Sequence, residues 1–160
     1  MKMNEGVEWA MHSCVNLNWI PDEAVTAKRL AAFYDLPTAY LNKQLQALTR
    51  AGILSSTSGP KGGFQLARPI ERISLLDIVV AIDGPDEAFR CTEILRSGPN
   101  GDPKQDYVKT CVISQAMRQA ELGYRRELAG RTIADIVAEV ERTYPNAAES
   151  TRTWFANLKS

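Results

Sequence analysis

Histidine occurs once in this 160-residue chain, at His12, and cysteine three times, at Cys14, Cys91 and Cys111. So small a supply of bases and nucleophiles excludes most hydrolytic and transfer chemistry. The sequence also has no Gly-x-Ser-x-Gly elbow, and no Gly-Lys-Ser/Thr step opening a helix after a strand. Neither an enzyme nor a small-molecule substrate is expected. Eighteen apolar residues never occur in a row, so no membrane-spanning helix is expected. Met1-Lys2-Met3-Asn4-Glu5 carries no apolar export core, which points to a cytoplasmic, nucleoid-associated protein. In that compartment an odd, scattered set of cysteines argues against a disulfide framework and shifts weight to metal or thiol chemistry.

Net charge is missing too, since 19 basic residues balance 19 acidic ones. The distribution is uneven, however. Between Thr26 and Arg72 seven basic residues (Lys28, Arg29, Lys43, Arg50, Lys61, Arg68, Arg72) face only Asp35 and Glu71. A compact basic module inside a neutral chain is the footprint of a domain that meets phosphate.

Apolar spacing predicts a first helix over about residues 5–18, then a short helix Ala27–Tyr34 capped by Thr26. Asp35-Leu36-Pro37-Thr38 makes a break, and a longer helix Ala39–Ala51 carries Leu41, Leu45 and Leu48 on one face before Gly52 ends it. Ile53–Thr57 and Gly63–Ala67 flank a Gly/Pro-rich turn and read as a hairpin. Ser74 opens another helix to about Ile82, and the stretch 84–109 is irregular. A long helix runs from Thr110 to about Leu128, a further one begins at Thr132, and a short helix is expected around Trp154. The expected fold is therefore mainly α with a small β-hairpin wing, a winged helix-turn-helix followed by a long helix.

On this order the helix Ala39–Ala51 is the recognition helix, with Tyr40, Asn42, Lys43, Gln44 and Gln46 facing outward. Amides suit base edges, and lysine suits phosphate or guanine. Lys28, Thr38, Ala39, Tyr40, Asn42, Lys43, Gln44 and Arg50, with Ser58, Lys61 and Gly62 of the wing, are the candidate contacts to double-stranded DNA.

A second constellation concerns metal. His12 follows Glu8 by four residues, so the two side chains leave the first helix on one face, about one turn apart. Cys91 and Cys111 bracket the irregular segment, and Cys14 falls in the apolar stripe, where a core thiol is expected. Spacing alone leaves other readings open: a surface Glu/His pair, and two ordinary buried thiols.

Gly62-Gly63-Phe64-Gln65-Leu66-Ala67-Arg68-Pro69, the run Ile73–Gly84 and the stretch Tyr40–Ile53 resemble the Rrf-two family of bacterial regulators. The resemblance spans about residues 5–140. It implies a homodimer joined through Cys111–Leu128, with one winged domain per subunit on a roughly palindromic operator. Many members hold a cluster with three closely spaced cysteines. Cys91 matches the first of these, but no second cysteine follows within a dozen residues. Gly6-Val7-Glu8-Trp9-Ala10-Met11-His12 and Phe89-Arg90-Cys91-Thr92-Glu93-Ile94 look like a redox-sensing subgroup. That resemblance implies a [2Fe-2S] cluster on Cys91, Cys111, His12 and Glu8, with the helix ligands supplied by the partner subunit. Trp9 becomes a residue expected to move with the redox state. The chain then divides into a DNA-binding domain (1–84), a cluster-binding loop (85–109), dimerisation helices (110–144) and a tail (145–160). Two rivals stand beside this reading. One is a metal-free thiol–disulfide sensor using Cys91 and Cys111, and the other is an iron–sulfur electron-transfer protein that does not bind DNA.

Overall fold

The structure, a computed structural model, describes residues 3–158. α1 (Glu5–Asn18) begins at Asn4, whose side chain accepts the Gly6 N–H at 2.8 Å. α2 (Ala27–Phe33) is capped by the Thr26 hydroxyl, and α3 (Thr38–Arg50) follows after a tight turn. Gly52, at φ +72°, closes α3 and lets the Ile53 amide reach back to the Leu48 carbonyl at 3.0 Å.

The wing is a two-stranded antiparallel hairpin, β1 (Leu54–Thr57) against β2 (Gly63–Leu66), in the register Ser55 opposite Gln65. A third backbone segment joins it, because Val25 and Phe64 exchange both amide hydrogen bonds at 3.0 and 2.8 Å. Gly63 makes that approach possible. It sits at φ +142°, and a Cβ there would come within 2.5 Å of the Val25 backbone carbon.

α4 (Leu75–Asp83) starts in a reciprocal Ser74/Asp77 capping box. A mostly irregular stretch follows, ending in the single turn α5 (Tyr107–Thr110), and then the long α6 (Val112–Ala129). α7 (Ile133–Thr143) opens in a second capping box, Thr132/Asp135. Its start is stapled back to the start of α4: Leu75 donates to Arg131 O and Ile133 to Ile73 O, both at 2.9 Å. α8 (Ala147–Asn157) is three turns long, more than the short helix expected around Trp154.

One core unites these pieces. Leu41, Leu45 and Leu48 of α3 are fully buried with Ala10, Cys14 and Leu17 of α1, Leu30 of α2 and Ile78 of α4. Ile133 of α7 and Phe155 of α8 complete it. Burying each leucine or isoleucine stabilises the fold by about 1.5–3 kcal/mol, which holds α3 against the body with its opposite side in water. The helix order and hairpin are those of a winged helix-turn-helix, mainly α with a β wing, as expected. Among the described residues no helix is long and apolar enough to cross a membrane.

Candidate nucleic-acid interface and metal-ligand residues

The apolar stripe of α3 sets which side chains it offers outward. Thr38, Ala39, Asn42, Lys43, Gln46 and Arg50 are exposed, as are Lys28 on α2 and Ser58 and Lys61 at the wing tip. Three of the candidate contacts sit differently from the rest. Gln44 does not face outward: it is 4 % exposed and lies over Gly6, where a Cβ would stand 2.7 Å from the Gln44 side chain. A glycine on α1 thus opens a slot that the glutamine fills, and residues 41, 44, 45 and 48 all belong to the inner face. Tyr40 also turns inward. Its hydroxyl donates to Asn4 Oδ1 at 3.2 Å and its ring meets Trp9 edge-on at 5.1 Å. Gly62 is buried inside the hairpin turn, its amide donating to Gly59 O at 2.9 Å, so it shapes the wing instead of presenting a surface.

Glu8 and His12 are exposed on one face of α1, beside an apolar groove of about 800 Å³ that runs among α1, α2, α7 and α8. Met11, Val15, Trp19, Phe33 and Val140 line much of it. His12 Nδ1 lies 3.3 Å from the Tyr34 hydroxyl, with the two ring centroids 5.2 Å apart. The same hydroxyl reaches Asn16 Oδ1 at 3.4 Å. Burial pushes the Tyr34 hydroxyl above its ordinary pKa, partly offset by the Asn16 hydrogen bond, so it stays protonated at neutral pH. Neither Tyr34 nor Asn16 was singled out from the sequence. The available signal was the four-residue repeat Glu8, His12, Asn16 along α1.

The cysteines fall into two groups. Cys14 is fully buried, and desolvation pushes its thiol up to about 12, which leaves it an inert core residue. Cys91 and Cys111 are half-buried free thiols. Cys91 Sγ is 3.9 Å from Tyr107 O, and the Cys111 amide donates to the same oxygen at 3.0 Å. Cys111 stands at the N-cap of α6. Within one subunit these thiols do not meet Glu8 and His12: among the described residues, no three potential ligands gather in one place.

α6 exposes apolar side chains that a solitary helix rarely shows, with Val112 77 % and Ile113 67 % accessible and Met117 and Leu122 also exposed.

Residues 3–139 match the family model of Rrf2, described as an iron-dependent transcriptional regulator. Protein aau3 of Rhizobium meliloti is 31 % identical over 137 residues, covering 84 % of this chain and 80 % of that protein. Two solved structures share the fold. IscR of T. potens has a TM-score of 0.63 at 18 % identity, covering 90 % of this chain and 91 % of its own. CymR, the global cysteine regulator of B. subtilis, has a TM-score of 0.63 at 18 % identity, covering 87 % of this chain and 98 % of its own.

Proposed function

Because this chain belongs to the Rrf2 family of DNA-binding transcriptional regulators, we propose that it works as a homodimer whose hold on a roughly palindromic operator is switched by the redox state of a [2Fe-2S] cluster. The observation that carries the DNA half is the outward face of α3 and the wing. Asn42 and Gln46 offer amides to base edges in a major groove, while Lys28, Lys43, Arg50 and Lys61 surround them with charge for phosphate. Thr38, Ala39 and Ser58 are small enough to let the backbone of either element approach closely.

Two unsatisfied surfaces support the dimer: the apolar side of α6, and the groove beside Glu8 and His12. The donor residues also divide into halves. One half is two free thiols, Cys91 with its Sγ on the Tyr107 carbonyl and Cys111 at the start of α6, and the other an exposed carboxylate and imidazole one helical turn apart. Each half has too few ligands for a metal group alone, and together they make a four-donor set. The residues fit a [2Fe-2S] cluster bridging two subunits, with Cys91 and Cys111 from one and Glu8 and His12 from the other. When bound, such a group supplies a one-electron couple, at a potential above that of an all-cysteine ferredoxin because nitrogen and oxygen replace thiolate. The chain's own part is transmission. Trp9, between Glu8 and His12 in sequence, touches Tyr40 of α3, so a shift of α1 reaches the recognition helix through one aromatic contact.

The test uses protein isolated without air, with iron and sulfide quantified and operator affinity measured before and after dithionite. His12→Ala is expected to keep salt-sensitive DNA binding and lose its redox dependence. Redox dependence that persists in His12→Ala sinks the scheme. A second reading is favoured by the approach of both residues to Tyr107 O, Cys91 through its Sγ and Cys111 through its amide: a metal-free sensor in which Cys91 and Cys111 give up two electrons and two protons to an oxidant and form a disulfide. It predicts a colourless protein whose DNA binding responds to oxidation and loses that response in Cys91→Ser.

A further inference from the structure

We propose that Tyr34 is a positioning residue for His12. It accepts a hydrogen bond from the Nδ1–H of the imidazole and donates one to the Asn16 side-chain carbonyl, so that His12 Nε2 is left without a proton and free to bind a metal. The proposal rests on the proposed function in one respect only, that the lone pair left on Nε2 meets a metal.

The geometry supplies the chain. Tyr34 Oη stands between His12 Nδ1 at 3.3 Å and Asn16 Oδ1 at 3.4 Å, with the tyrosine and histidine rings tilted by 59° against each other. These separations are at the long end of the hydrogen-bond range. A phenol has one proton. Given to Oδ1, which only accepts, it leaves oxygen lone pairs facing Nδ1, and Nδ1 must then carry the proton of the neutral ring. Nε2 is left with the lone pair. Turned over, the amide would donate to Tyr34, the phenol would donate to Nδ1, and Nε2 would be protonated and closed to a metal. The first arrangement is the one in the structure, where the Tyr34 hydroxyl donates to Oδ1 of the buried Asn16. A ligand bond at Nε2 would reinforce the same arrangement, as outer hydrogen bonds do for ligating histidines generally.

Tyr34 is well placed to hold a ring still. It caps the C-terminus of α2, and its ring meets Phe33 edge-on at 4.7 Å. Phe33 is in turn packed on Trp154 at 4.9 Å and stacked on Phe155 at 5.3 Å. The next residue, Asp35, is in the left-handed region at φ +54°, in the turn that leads into α3. His12 is therefore tied to the helix-turn-helix of its own subunit at the turn itself, a second route from α1 to the DNA-reading surface besides Trp9 and Tyr40.

His12 is the single histidine of the chain, so its tautomer is readable without assignment. The experiment is a long-range proton–nitrogen correlation spectrum of the full-length, metal-free, nitrogen-15-labelled protein at about pH 8.5, where imidazole is neutral. Wild type is expected in the Nδ1–H form, with Tyr34→Phe and Asn16→Leu moving the proton to Nε2, the form free imidazoles favour. Tyr34→Phe keeps the ring and its packing, which separates the hydrogen bond from the fold. A wild-type spectrum in the Nε2–H form, or a Tyr34→Phe spectrum identical to wild type, overturns the proposal. In the iron-loaded dimer, Tyr34→Phe is expected to lose iron to a chelator with roughly 10–100-fold weaker retention. A protein that never holds iron, yet shows the Nδ1–H form only with Tyr34 present, leaves the positioning role standing and sinks the cluster reading alone.

Discussion

Replacing Gly63 with alanine tests whether the wing is anchored as described. An added Cβ would lie 2.5 Å from Val25 C, 2.6 Å from Val25 O and 2.8 Å from Thr26 N, all backbone atoms with no flexible end to move aside. Either the strand or the segment before α2 must retreat, and the paired Val25–Phe64 hydrogen bonds at 3.0 and 2.8 Å go with it. Two net hydrogen bonds are worth about 2 kcal/mol. Holding an alanine at φ +142° adds about 1–3 kcal/mol of backbone strain. The expected loss is about 3–5 kcal/mol, and at roughly 2–4 °C per kcal/mol for a chain of this size the melting temperature falls by roughly 6–20 °C. Gly59 is the internal control. At φ +97° it shares the strain, but nothing lies within 4 Å of its would-be Cβ, so Gly59→Ala costs the strain alone. Thermal melts followed by circular dichroism, beside operator titrations, read both effects. A Gly63→Ala protein that melts within a degree or two of wild type, or no lower than Gly59→Ala, refutes the reasoning.

Asn42→Ala should relax base preference at one operator position by about 1–3 kcal/mol, whereas Gln44→Ala should lower the melting temperature and leave the preference unchanged; binding to a set of single-base operator variants distinguishes the two. Lys61→Ala should weaken binding equally on all sequences and flatten the plot of log affinity against log salt by about 0.9. Ile113→Glu, placing a charge on the exposed apolar side of α6, should convert a dimer to monomer in sedimentation velocity without changing the helical spectrum. Asp135 is held below its ordinary carboxylate pKa by the backbone and hydroxyl hydrogen bonds of Thr132. The stability this contributes is present above the unfolded value near 4 and is lost as pH falls through the folded value. The melting-temperature gap between wild type and Asp135→Asn should therefore be present at pH 7 and shrink below pH 4.

Helix starts were legible because their caps are written in single residues: Thr26, Ser74 with Asp77, and Thr132 with Asp135 all cap where the side-chain pattern placed them. The hairpin was equally plain, since Gly52, Gly59 and Gly63 occupy positions of positive φ. What the pattern missed depends on contacts between elements. Polarity put Gln44 and Tyr40 on the wet side of α3. Only the closeness of α1, permitted by Gly6, reveals that an amide and a phenol line the inner face there. Tyr34 and Asn16 escaped notice for the same reason, because their meeting at His12 joins α1 to the end of α2 across eighteen residues of sequence. The tail was underestimated because Trp154 and Phe155 announce burial but not its location. That location is Phe33, together with Arg29, which donates to Phe155 O at 2.7 Å.

The staple between the beginnings of α4 and α7 has a consequence for how this chain can vary. Leu75 and Ile133 are joined through the backbone of Arg131 and Ile73, so the long excursion from the end of α4 through α6 leaves and returns at a fixed gate. The free energy of closing such an excursion rises only with the logarithm of its length, about 0.6 kcal/mol per doubling. Residues between Gly84 and Gly130 can thus be lengthened or shortened while the winged domain and its α7 brace keep their seat. In engineering terms the staple is a socket, and the segment that carries Cys91 and Cys111 is what it holds.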